Sequence, residues 1–131
     1  MIRRRVLVPS ELECPAEALA HAAALAGSDG EVVLASVTVV PHSEPLESGG
    51  PPAWDVGWGA DEGRVAGVAA VGTRRLRARS FSEAVLDAVA AERYDAIVIQ
   101  AGRETPCNGA KAQIDAVLER AAPTVVLVRP G

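Results

Sequence analysis

Aromatic residues are almost missing from this 131-residue chain: one Phe, one Tyr and two Trp make up 3% of it, against 49% hydrophobic residues. A core of that composition has to be built from Val, Leu, Ile and Ala. That favours helices packed closely on a sheet and argues against an aromatic-filled sandwich or barrel. Lysine is scarcer still. Lys111 is the only one among 13 basic residues and the formal net charge is −4, so the broad basic face of a nucleic-acid binder is absent. Cysteine is limited to Cys14 and Cys107, with no CxxC and no Cys/His ligand spacing, which argues against a disulfide framework and a structural zinc site. No apolar run approaches the roughly 20 residues of a membrane span. Met1-Ile2-Arg3-Arg4-Arg5 leads into a short strand without the apolar region of a secretion signal. The expectation is a cytoplasmic protein with no membrane insertion.

Catalytic patterns are lacking too. GxSxG, GxGxxG and the P-loop are absent. His21 lies among helix alanines with nothing to orient it, and His42 follows a strand into a loop. Paired acids such as Asp61-Glu62, or Glu11 with Glu13, read as solvated helix-end partners. An enzyme is therefore not indicated, and no catalytic residue or metal ligand is assigned.

What is present is a regular alternation of short apolar strands and helices. One domain spanning 1–131 is expected, long enough to bury roughly two-thirds of its unfolded surface. Val6-Leu7-Val8 is an uninterrupted apolar run, suited to a central strand covered on both faces, with Pro9 as its stop. Cys14 falls at the N-cap of an alanine-rich helix, Pro15 at its first position and Gly27 past its end. Glu31 to Val40 is rich in β-branched residues and forms a second strand parallel to the first. Asp61 to Val71 is a weak helix interrupted by Gly63 and Gly67. Thr73 to Arg79 alternates arginine with smaller residues, as an edge strand does when charge discourages pairing.

Ser80 to Glu83 offers a capping box before a helix with Val85, Leu86 and Val89 on its core face. Ile97 to Ile99 is another buried strand. Ala101 to Gly109 is a loop, and Ile114, Val117, Leu118 and Ala121 mark a last helix, followed by the strand Thr124 to Arg129. The order β-α-β-(loop, α)-β-α-β-α-β defines an α/β fold, an open doubly wound parallel five-stranded sheet with helices on both faces.

Between the second strand and the weak helix, Pro41 to Gly59 is dense in Pro and Gly and has no apolar period, so a flexible loop over about 41–60 is expected. It carries both tryptophans. Trp54 and Trp58 read first as a small cluster folded over an exposed edge, and second as a surface for a protein partner. Cys14 and Cys107 each precede a helix, where thiols become reactive, so a redox pair is the sharper reading and two unrelated thiols the plainer one.

RRVLVPSELE, VVLASVTVVP, SEAVLDAVAAERYDAIVIQAGR and the closing VLERAAPTVVLVRP together resemble the universal stress protein family over almost the whole chain. The resemblance implies strand order 3-2-1-4-5 in an adenine nucleotide alpha hydrolase-like fold, a homodimer through the terminal strand, and in some members an ATP site at the carboxyl edge between strands 1 and 4. The positions it points to are Pro9, Ser10, Glu11, Val39, Gln100, Gly102, Arg103, Asn108 and Gly109. ATP-binding members look like GxxG, about nine residues, then G-[ST]. Here Gly102 and Gly109 are seven apart, and Ala112-Gln113 stands where the G-[ST] pair falls. Glu11 takes the place of a usual Asp. Glu11, Glu13 and Glu104 face only Arg103 and Lys111, a balance that opposes an anion. The expectation is a regulatory stress-response module without tight ATP binding. The alternatives are an ATP- or AMP-binding regulator with a remodelled site, and a partner-docking domain similar to those of cation/proton antiporters.

Overall fold

The computed structural model describes residues 4–11, 15–48, 54–57, 70–100 and 108–128. In chain order the elements are β1 (Arg5–Ser10), α1 (Ala16–Ala26), β2 (Glu31–Val39), a short 3-10 turn (Leu46–Ser48), β3 (Val71–Ala78), α2 (Phe81–Ala91), β4 (Ala96–Gln100), α3 (Asn108–Arg120) and β5 (Thr124–Val128). The five strands make one sheet of order β3-β2-β1-β4-β5, parallel at every pairing. This is the α/β architecture anticipated above.

Side-chain alternation along the buried strands divides the core in two. Val6, Val8, Val32, Leu34 and Val98 pack with Ala18, Leu19 and Ala22 of α1 on one face. Leu7, Val33, Ile97 and Ile99 pack with Val85 of α2 and Val117 of α3 on the other. Each aliphatic side chain fully withdrawn from water contributes about 1.5–3 kcal/mol. Alanines on the inner stripe of α1 let that helix lie close to the sheet. Two glycines are required at its end: Gly27 has φ 73°, and a Cβ on Gly30 would stand 2.2 Å from the Ala26 carbonyl oxygen.

Several boundaries differ from the sequence reading. Pro9 does not stop β1, which runs on to Ser10 paired with β2; the missing N–H faces β4, and the β1–β4 ladder ends before it, after Leu7↔Ile97. Pro15, not Cys14, is the N-cap of α1; it supplies no side-chain cap. Asn108 and Gly109, expected in a loop, open α3, and β3 begins at Val71, two residues early. Leu118, expected on the core face, is exposed. Ser80 does cap α2, its hydroxyl accepting from the Glu83 N–H at 3.2 Å. The weak helix falls mainly on residues 61–69, outside the described residues, as do Cys14, Cys107 and Trp58.

Candidate functional site

α1 lies on one face of the sheet and α3 on the other, so the crossovers leaving β1 and β4 diverge. That is the switch point at which open α/β sheets take ligands, beyond the carboxyl ends of the strands. The β1–β4 ladder ends after Leu7↔Ile97, where Pro9 has no N–H to give, whereas β1 stays in register with β2 from Arg5↔Glu31 to Ser10↔Ser36. Ser10 and Gln100, the last residues of β1 and β4, stand at the two lips of this switch-point crevice.

Both lips are engaged within the chain. The Gln100 Oε1 accepts the Glu17 N–H at 3.1 Å and the Ala18 N–H at 3.0 Å, so it caps the N-terminus of α1 from a different strand. Those backbone donors are the ones a helix offers to an anion. The Trp54 indole N–H donates to the Ser10 carbonyl at 2.9 Å, and the residue is 9% exposed, packed with Val56 into the α1-side core. Trp54 thus packs into the main core and not in a separate cluster over an exposed edge, and Trp58 lies outside the described residues. Beside it, Glu11 is half-buried and burial raises its pKa, so a charged carboxylate there is already costly and an added anion more so.

The remaining expected site residues are scattered. Pro9 lies in β1 and Glu11 just beyond it. Val39 ends β2 but packs with Val37, Ala78 and Ala84, near Phe81 on the α2 side. Gly102 and Arg103 lie outside the described residues, and of Asn108 and Gly109 only the helical backbone is described. Gln113, in the place of the G-[ST] pair, is committed elsewhere. Its Oε1 accepts the Ser82 N–H at 2.9 Å and the Ser82 hydroxyl at 2.7 Å, a second glutamine serving a neighbouring helix start. Two backbone donors of α1 are therefore taken within the chain, and residues 101–107, which carry Gly102 and Arg103, lie outside the described residues.

Among the described residues, the hydroxyl of Ser36, in a residue 1% exposed, has no hydrogen-bond partner. Strand alternation puts it on the face of Val32 and Leu34, where Trp54 also packs.

The sequence reading missed a charged network at the opposite, amino edge. Arg5 Nε donates to Glu31 at 2.9 Å, Arg5 also reaches Glu92 at 3.1 Å, and its guanidinium lies 4.8 Å from the centre of the Tyr94 ring. Arg74 holds Glu92 from β3 at 3.1 Å, and the Tyr94 hydroxyl donates to Glu92 at 2.7 Å. The bonds from Arg74, Tyr94 and Arg5 hold the Glu92 carboxyl down at about 2, while burial and the bond to Glu92 push Tyr94 up to about 12. A shallow groove of about 590 Å³ adjoins this network between Val89–Asp95 and Ala122–Thr124. The signal available in the sequence was the pair Arg5 and Glu31, charges at the starts of two strands that parallel register brings side by side.

No family model matches the chain, and no curated protein matches its sequence. Its fold is nonetheless shared with solved structures. A universal stress protein in complex with cAMP superposes with a TM-score of 0.71 at 13% identity, covering 100% of both chains. The universal stress protein from Archaeoglobus fulgidus in complex with dAMP gives 0.68 at 16%, over 98% of this chain and 99% of that one. A universal stress protein family protein from Arabidopsis thaliana with AMP bound gives 0.62 at 13%, over 98% and 92%. The class is therefore an open doubly wound parallel α/β domain, and within it the chain has the universal stress protein fold from end to end.

Proposed function

We propose that this chain is a small regulatory module of the stress-response type that works without tight ATP binding. The observation that supports this reading is the capping of α1 by Gln100, which occupies two of the backbone donors that the start of this helix would offer to an anion. Thermal unfolding with millimolar ATP tests it. A site holding ligand at 100 times its dissociation constant is stabilised by about 2.7 kcal/mol, and this reading expects no such shift.

A second reading, a regulator binding an AMP-type nucleotide through a remodelled site, is favoured by the cAMP, dAMP and AMP in the three structures above. A monophosphate asks less of the crevice than a triphosphate, and parallel titrations with AMP and ATP separate the two. The output is proposed to be a surface, in a homodimer built on β5. That strand is a sheet edge, and Leu127 on it is 38% exposed, a site that pairing with a second copy would cover. No catalytic step is proposed. The cytoplasm remains the proposed location; among the described residues no helix is long and apolar enough to cross a membrane.

A further inference from the structure

We infer that the outer edge of β3 is a docking strand for an acidic, extended segment of a partner protein, which adds to the sheet beside β3 and sets carboxylates against Arg75 and Arg77. The backbone fixes which groups are on offer. The Val32 N–H donates to the Ala70 carbonyl at 2.9 Å and the Val40 N–H to the Ala78 carbonyl at 2.8 Å, so the even-numbered residues of β3 turn their hydrogen-bonding groups to β2. The odd-numbered ones, Val71, Thr73, Arg75 and Arg77, turn theirs away from the sheet. Among the described residues no backbone group meets that row. The Thr73 carbonyl accepts from the Arg74 guanidinium at 2.8 Å and keeps a second lone pair for an incoming N–H. Open N–H and C=O groups along a strand are a template for one more strand.

Charge selects which strand that is. Val71 packs with the α1-side core and Leu76 with the α2-side core, so alternation puts Thr73, Arg75 and Arg77 on the α1 face and Arg74 on the other. All four are exposed. Arg74 is committed to Glu92, in a network that Arg5 and Glu31 balance charge for charge. Arg77 and Arg79 donate to the Glu47, Pro41 and Glu44 carbonyls, which uses donors without neutralising either guanidinium. Arg75 has no hydrogen bond or ion pair among the described residues. Against the exposed Glu44 and Glu47 of the neighbouring segment, Arg75, Arg77 and Arg79 leave this edge positive in a chain of net charge −4.

A second copy of the chain laid antiparallel on β3 would bring arginine to arginine, and like charges across a strand pair are destabilising. A segment with Glu or Asp at alternate positions replaces each repulsion with an opposite-charge pair on the same face. The arginines thus refuse one class of strand and admit another. The apolar edge proposed above for a second copy, β5, lies at the far side of the sheet, so the two contacts do not compete.

The test uses the full chain and a short fluorescein-labelled peptide of alternating Glu and Val, with binding read by anisotropy at low salt. Two control peptides carry Lys in place of Glu, or a central proline. The acidic peptide is expected to bind and the Lys peptide not to; the proline, which removes a main-chain donor, weakens binding about tenfold, and raising the salt to about 0.5 M weakens it at least about threefold. Arg75→Glu is expected to weaken the acidic peptide about fivefold or more. If that variant does not fold by circular dichroism, Arg75→Gln decides, with a loss of about threefold. Amide exchange followed by nuclear magnetic resonance is expected to slow at Thr73, Arg75 and Arg77 when the peptide is present. The inference is overturned if the folded parent binds no acidic peptide up to about 1 mM, or if folded Arg75→Glu binds as tightly as the parent. Equal binding of the proline peptide also overturns it, since a charged surface would then hold an anion without adding a strand. So does protection that appears on β5 and not on β3.

Discussion

Replacing Gln100 by Ala removes the acceptor of two backbone N–H groups at the start of α1. The Ala18 donor is part-buried and 3.0 Å from the amide oxygen, so its loss leaves a group that water reaches poorly. Such a group costs about 1–3 kcal/mol. The Glu17 donor is exposed, and water replaces most of its bond. Together these amount to about 2 kcal/mol, at the upper end of what helix caps contribute. For a chain of 131 residues that lowers the melting temperature by roughly 6–8 °C. Gln100→Glu keeps the acceptor oxygens and adds a negative charge at the positive end of the helix, so it should stay within about 0.5 kcal/mol of the parent. Urea unfolding followed by far-ultraviolet circular dichroism measures both. If Gln100→Ala and the parent unfold together, the amide is not the cap and the case that the Glu17 and Ala18 donors are occupied fails with it.

Acid should act through Glu92. Its carboxyl is lowered to about 2 from an ordinary 4.5, so its contribution is complete above about pH 4.5 and is lost as pH falls toward 2; in Glu92→Gln the fall of stability over that window should be shallower, read by melting at stepped pH. Gly30→Ala should cost about 3 kcal/mol or prevent folding, because its Cβ would meet the Ala26 carbonyl oxygen at 2.2 Å and the backbone oxygen of Arg4 at 2.8 Å; denaturant midpoints check it. Leu127→Lys should dissociate the proposed dimer, and sedimentation of the parent as monomer at high concentration would refute the β5 pairing.

How much of this was legible beforehand follows from the range of the interactions. Val6-Leu7-Val8, Ile97 to Ile99 and the Ser80 cap declare themselves because strand burial and a helix cap depend on residues within one element. The topology followed from the element order, and the sheet order from the family resemblance. Gln100 capping a helix 82 and 83 positions away, and Trp54 bonding a carbonyl 44 positions away, leave no local trace; a glutamine after a strand and a tryptophan in a Pro/Gly-rich stretch have many possible partners until the sheet brings one of them near. Pro9 misled because a proline interrupts only the ladder its missing N–H faces: pairing with β4 ends there, while pairing with β2 runs on to Ser10. The β3 arginines read as edge charges for the same reason. Arg77 and Arg79 in fact donate to the Glu47, Pro41 and Glu44 carbonyls and so tie the Pro41–Ser48 segment to the sheet edge.

Calorimetric titration of the purified chain with magnesium ATP bears most directly on the crevice. With the Glu17 and Ala18 donors of α1 held by Gln100 and the Ser10 carbonyl held by Trp54, no saturable heat is predicted up to about 1 mM ligand, a binding free energy weaker than about −4 kcal/mol. A single-site isotherm with a dissociation constant near 1 μM, about −8 kcal/mol, would contradict it.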